Sequence, residues 1–126
     1  MWIHLNDEDA RPLYVQVKEQ LIREILNGSL QPGEELPSIR RLAKEARTSV
    51  ITVKRAYQDL EQEGYIFTRA GKGSYVKLQL DDERKNMKKR QFKEKTDELL
   101  VFGKQLHLSN DDMRQIMRKC LEEGER

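Results

Sequence analysis

At 126 residues the chain has room for one compact domain and an appendage, and 37% hydrophobic against 37% charged residues suits a small protein with a large solvated surface or long exposed helices. No apolar run approaches the roughly 20 residues of a bilayer span, and residues 1–9 lack the basic start and apolar stretch of a secretory leader, so a cytoplasmic protein without membrane contact is expected. The formal net charge of +2 hides an uneven distribution, with three basic and seven acidic residues from Met1 to Glu35, nine and four from Leu36 to Lys77, and twelve and eleven from Leu78 to Arg126.

The first periodic segment is Leu13, Tyr14, Val17, Leu21, Ile22 and Ile25. Its spacing predicts an amphipathic helix over 12–27, with Pro12 in the first turn and Asn27-Gly28 at the end. Trp2 either covers the core end of this helix or packs at a contact between two copies. After the Pro32-Gly33 turn, Pro37-Ser38 reads as lead-in and N-cap of a short second helix whose inner face is Ile39, Leu42, Ala43 and Ala46. Ser49 is a new N-cap, and a third helix is predicted over 50–63 with Val53, Ala56, Tyr57 and Leu60 inward and Gly64 as a left-handed C-terminal cap. Two short helices joined by three residues form a helix-turn-helix pattern.

Tyr65 to Thr68 and Ser74 to Val76 are strand-like, and Ala70-Gly71-Lys72-Gly73 supplies the turn between them. This predicts a β-hairpin, or wing, with Arg69 and Lys72 placing positive charge at its tip. Beyond Leu80, Asp81-Asp82-Glu83 opens a long helix predicted over 82–106, in which Phe92, Leu99 and Leu106 fall seven residues apart beside Leu100, Phe102 and Gly103. Ser109 to Asp112 fits a capping-box variant that opens a last helix with Met113, Ile116, Met117, Cys120 and Leu121 on one face. Two such helices are too few for a core of their own and are expected to complete one against a second copy. Phe92, Leu99, Phe102, Leu106, Met113, Ile116, Met117 and Leu121 are the candidate dimerisation residues. The basic run Arg84, Lys85, Lys88, Lys89, Arg90, Lys93 and Lys95 either adds phosphate contacts or forms a solvated helix face.

In a helix-turn-helix the second helix presents its N-terminal residues to base edges in the major groove. Here that end carries Val50, Ile51, Thr52, Lys54 and Arg55. Val50 and Ile51 have thymine methyl groups as their counterpart, unless Val50 is partly buried by the preceding turn. The chemistry of other classes is missing. Gly71-Lys72-Gly73-Ser74 lacks the earlier glycine of a phosphate-binding loop, and Gly73 stands where that loop needs Ser or Thr. His4, His107 and the single cysteine, Cys120, show no metal-ligand spacing, and Cys120 has no partner for an internal disulfide. No nucleophile has a credible His and carboxylate partner. Neither catalysis nor a metal or cofactor is therefore expected.

Leu36-Pro37-Ser38-Ile39-Arg40-Arg41-Leu42-Ala43, the stretch from Thr52 to Ile66, and Gly71-Lys72-Gly73-Ser74-Tyr75-Val76 together resemble the GntR family of bacterial regulators, and the short tail resembles its YtrA-type subfamily. The resemblance implies that Arg40, Thr52, Lys54 and Gly71 contact double-stranded DNA. It also implies a dimer paired through the helical tail, and a repressor whose target is a transporter operon. Positions 50 and 51 depart from the family, many of whose members carry Arg and Asn or Thr there. The expected fold is mainly α with a small β-hairpin: a winged helix-turn-helix over 1–80 and a two-helix dimerisation segment over 81–126. Two-fold pairing predicts a palindromic operator, and the sequence identifies no small-molecule effector.

Overall fold

A computed structural model describes residues 3–125, so the expectation for Trp2 lies outside the described residues. The elements run α1 (Leu13–Leu26), α2 (Ile39–Ala46), α3 (Val50–Gln62), β1 (Ile66–Arg69), β2 (Gly73–Val76), α4 (Asp81–Gln105) and α5 (Asn110–Gly124). The chain divides into two compact units, Met1–Arg84 and Lys85–Arg126. The division falls inside α4, a few residues beyond the change of composition at Leu80.

In the first unit the apolar stripes that define the helices also form the core. Val17, Leu21, Ile22 and Ile25 of α1 are buried with Leu42 and Ala43 of α2 and with Val53, Ala56, Tyr57 and Leu60 of α3. The caps follow the local chemistry. Ser38 Oγ accepts the Arg41 N–H at 3.1 Å, and Ser49 Oγ accepts the Thr52 N–H at 3.1 Å, each satisfying an orphan donor of a first turn. At the end of α3, Gly64 adopts φ +87°, the Tyr65 N–H donates to Leu60 O and the Gly64 N–H to Glu61 O, forming a Schellman cap. The same bond pattern ends α2, with Thr48 N–H to Ala43 O and Arg47 N–H to Lys44 O, but there the left-handed residue is Arg47, at φ 56° and ψ 48°.

The wing is an antiparallel hairpin with Ile66 opposite Val76 and Arg69 opposite Gly73. It carries a third strand-like segment that the sequence pattern does not announce. The Gly33 N–H donates to Val76 O, the Val76 N–H to Glu34 O and the Leu36 N–H to Ser74 O, so the chain entering α2 is stitched to β2. A second such feature is the N-terminal arm. Gln16 Oε1 accepts the Asn6 N–H at 2.8 Å while its Nε2 donates to Asn6 O and Arg11 O, both at 3.0 Å. One turn later Gln20 treats His4 the same way, with Oε1 accepting the His4 N–H and Nε2 donating to His4 O. Two glutamines on one face of α1 thus act as a backbone surrogate that pins an extended arm. The arm's buried Ile3, with His4 and Leu5, lines a depression with Glu45, Ala46 and Arg47 at the helix-turn-helix turn.

Arg84 belongs to this unit as well. Its Nη2 donates to Ile25 O at 3.2 Å and Leu26 O at 2.9 Å, capping the C-terminal carbonyls of α1 with a cation. It therefore does not belong to the solvated or phosphate-facing run in which its neighbours place it.

In the second unit, α4 and α5 are joined by a turn in which His107 takes φ 61°, with Leu108 N–H to Gly103 O and His107 N–H to Lys104 O as its Schellman bonds. Ser109 and Asp112 form a reciprocal capping box at the start of α5. A Cβ at Gly103 would stand 2.3 Å from Met113 Sδ, so the lack of a side chain there is what lets Met113 pack onto α4. Among the described residues no helix is long and apolar enough to cross a membrane.

Candidate nucleic-acid interface

The first turn of α3 begins at the Ser49 cap and is held from behind by the buried stripe Val53, Ala56, Tyr57 and Leu60. Tyr57 does more than fill space. Its hydroxyl donates to Pro37 O at 2.7 Å, tying α3 to the residue before the α2 cap, and burial pushes its phenol well above the usual tyrosine range. Two ion pairs, Lys18 with Glu63 and with Asp59, tie α3 to α1. The frame of α3 is thus fixed on several sides, leaving its N-terminal tip to project.

At that tip Val50 is 44% exposed and Ile51 79% exposed. Val50 is thus partly covered and partly open. The Thr52 side chain is half-buried and its Oγ1 lies 2.8 Å from Ser49 Oγ, so the hydroxyl is engaged at the cap. Lys54 and, on α2, Arg40 are exposed, whereas the neighbouring Arg41 pairs with Glu45 at 3.0 Å. Arg55 is exposed as well, and is also braced against α1. Its guanidinium carbon sits 3.8 Å from the centre of the Tyr14 ring on α1, a cation–π contact that turns Arg55 into a strut between α3 and α1. Arg55 follows Lys54 by one residue, about 100° around the helix, which carries it to the α1 side.

The wing tip is open. Gly71 has φ +74° with nothing near the position of a Cβ, and Gly73 has φ +121° with Glu35 Oε1 3.0 Å from that position. Both glycines are required by the turn. Lys72 is exposed at the tip, with its N–H donating to Arg69 O at 3.0 Å. Arg69 lies over the stacked pair Phe67 and Tyr75, at 5.6 and 5.8 Å from the ring centres, while remaining exposed. Arg40, Lys54, Arg69 and Lys72 are thus among the exposed cations of α2, α3 and the wing, with Arg41, Lys44, Arg47 and Arg55, together with the apolar pair at the α3 tip.

Among the candidate dimerisation residues, Phe92, Leu99, Phe102, Leu106, Ile116 and Leu121 are exposed, and Met117 is half-buried. Met113 is already buried within its own chain against Gly103. An apolar groove of about 180 Å³ runs between the end of α4 and the start of α5, lined by Leu99, Phe102, Leu106, Ile116, Met117 and their neighbours. Among the described residues no group of His, Cys, Asp and Glu is placed to hold a metal.

Three helices with a capped turn between the second and third, followed by a glycine-tipped hairpin, define a winged helix-turn-helix DNA-binding domain. Residues 13–76 match the family described as bacterial regulatory proteins, gntR family, and the chain belongs to it. The uncharacterized HTH-type transcriptional regulator YhcF of Bacillus subtilis is 28% identical over 119 residues, covering 93% of this chain and 96% of that protein. The HTH-type transcriptional repressor YtrA of the same organism is 38% identical over 74 residues, 59% of this chain and 57% of that one. Among solved structures, a GntR family transcriptional regulator from Listeria monocytogenes superposes with a TM-score of 0.71 at 26% identity, covering 89% of this chain and 97% of that one. AraR(DBD) in complex with operator ORE1 superposes with a TM-score of 0.52 at 30% identity, covering 57% of this chain and 88% of that one. This chain is a DNA-binding transcriptional regulator of YtrA-like kind within the family, whose members here are regulators and not enzymes.

Proposed function

We propose that the protein is a cytoplasmic repressor that binds a palindromic operator as a homodimer, each copy placing α3 in the major groove with the wing alongside. The observation that carries this reading is the α3 tip: it is exposed, mounted on a fully buried stripe, and flanked by Arg40, Lys54, Arg69 and Lys72. In this reading Arg40, Lys54, Arg69, Lys72 and the Gly71 backbone meet phosphates, while Val50, Ile51 and Thr52 face base edges. Residues 1–80 bind DNA and residues 81–126 pair the copies. The uncovered apolar groove between α4 and α5 is the pairing surface, with Phe92 and Leu121 extending it along the two helices. Two-fold pairing makes the operator palindromic. The YtrA resemblance supports repression and a transporter operon as target; no effector is assigned.

Selection from random duplexes by the purified protein at about 150 mM salt, followed by sequencing, tests the reading. An enriched palindrome with half-sites about one helical turn apart is expected. Failure to enrich any sequence overturns sequence-specific regulation. Sedimentation equilibrium tests the pairing: a dimer is expected, and Phe102→Asp with Leu106→Asp should give monomers that retain a folded N-terminal unit.

A further inference from the structure

We propose that the α3 tip reads thymine methyl groups: Ile51, with Val50 beside it, packs on the C5-methyls of a half-site that carries thymine beneath this turn. The inference rests on the DNA-binding reading above and assigns the kind of base that reading leaves open.

Ile51 is the more telling residue because nothing in the protein uses it. It is 79% exposed on a helix whose apolar residues from Val53 to Leu60 are all buried, so neither the core nor the helix accounts for a β-branched side chain there. Two polar groups near this turn already have partners within the protein. The Thr52 hydroxyl shares a hydrogen with Ser49 at 2.8 Å, and Arg55 lies on the Tyr14 ring at 3.8 Å. Arg40 on α2 and Lys54 on α3 are exposed cations. An exposed apolar tip on a helix pair that also exposes cations fits a polyanion whose surface has an apolar feature, and it fits an apolar protein surface poorly.

In the major groove that feature is the thymine C5-methyl, the one methyl group that the four bases present there. An isoleucine placed over a G·C edge would remove water from guanine O6 and N7 or cytosine N4 without offering a partner, which is costly. Over thymine the same side chain buries apolar surface on both partners. The tip therefore discriminates twice, by attraction to the methyl and by an uncompensated desolvation of the alternative.

Replacing thymine by deoxyuridine removes only the methyl and keeps base pairing and every hydrogen-bonding group. The experiment uses the full chain and the duplex enriched from random sequences, resynthesised with deoxyuridine at one thymine position at a time. At one or two positions per half-site affinity should fall about fourfold, the worth of one buried methyl-sized group, with no change elsewhere. Ile51→Ala should bind more weakly, keep its thermal midpoint because the residue is exposed, and lose the sensitivity at those positions. If a palindrome is enriched but deoxyuridine is tolerated at every position, or Ile51→Ala keeps the full sensitivity, the methyl readout is wrong while the DNA-binding reading stands. If no sequence is enriched, both fall together.

Discussion

The exposed cations make the salt dependence of binding a quantitative test. Arg40, Lys54, Arg69 and Lys72 are exposed; Arg55 is exposed too but lies 3.8 Å from the Tyr14 ring centre, and Lys18 is paired with Asp59 and Glu63. If each of the first four cations meets one phosphate in each copy of a dimer, a plot of log affinity against log salt has a slope of about −7, from the release of about 0.9 counterion per phosphate contact. Arg40→Ala removes one contact per copy and should flatten the slope by about 2, with affinity falling to a similar degree on specific and random duplexes. Arg55→Ala should leave the slope unchanged, because its guanidinium is held on the Tyr14 ring, and should lower the thermal midpoint instead. Fluorescence anisotropy of the full chain on a labelled duplex, titrated between about 50 and 200 mM salt, reads both quantities. An unchanged slope for Arg40→Ala, or an equal flattening by Arg55→Ala, would refute the assignment of these cations.

Three other substitutions test the α2 cap, the N-terminal arm and the packing of the helical tail. Arg47→Gly should stabilise the N-terminal unit by about 1 kcal/mol, because it relieves a Cβ penalty at φ 56° without disturbing the Schellman bonds. Urea unfolding followed by circular dichroism should show a higher midpoint, and a lower one contradicts the strain argument. Gln16→Ala leaves the Asn6 N–H and the Arg11 carbonyl without partners, while Asn6 O keeps the Asp9 N–H, and should cost about 1–3 kcal/mol, with faster hydrogen exchange confined to the arm and the start of α1. Gly103→Ala gains about 1 kcal/mol of helix propensity but forces Met113 aside, at a cost of about 1–3 kcal/mol. Loss of dimer at low concentration by sedimentation, partly restored by adding Met113→Ala, is the expected result.

What the sequence disclosed was whatever a few neighbouring residues determine. Ser38, Ser49 and Ser109 cap helices within three residues of themselves, and Gly64 ends α3 because its backbone turns left-handed, so the helix boundaries fell close to where these residues sit. The stripe from Val53 to Leu60 was legible because burial repeats with the helical period. The features that escaped depend on partners far along the chain. The Glu34 to Leu36 segment pairs with β2 through backbone groups, which leave no side-chain signature. The Gln16 and Gln20 clamp looks like two solvated polar residues until the arm is beside them. Arg84 reads as part of a basic run, yet its role is set by the end of α1, nearly sixty positions away. Left-handed caps at Arg47 and His107 were invisible because neither residue is the glycine that usually announces one.

The helical period also explains how α3 can separate holding from reading. Positions 53, 56, 57 and 60 face inward and are buried, with Tyr57 adding a bond to Pro37, so enlarging or shrinking them disturbs the packing that orients the whole helix. Leu60→Ala in such a site costs about 2–5 kcal/mol, comparable with the total stability of a small domain. Positions 50, 51 and 54 lie on the open side, where exposed substitutions change stability by only about 0.5 kcal/mol. Recognition can therefore be rewritten at the tip without rebuilding the fold, provided that the Ser49 cap and the Arg55 strut are kept. Exchanging Ile51 alone should change which duplexes are selected while leaving the unfolding midpoint in place, whereas no substitution within the buried stripe can change selectivity without first loosening the helix that presents it.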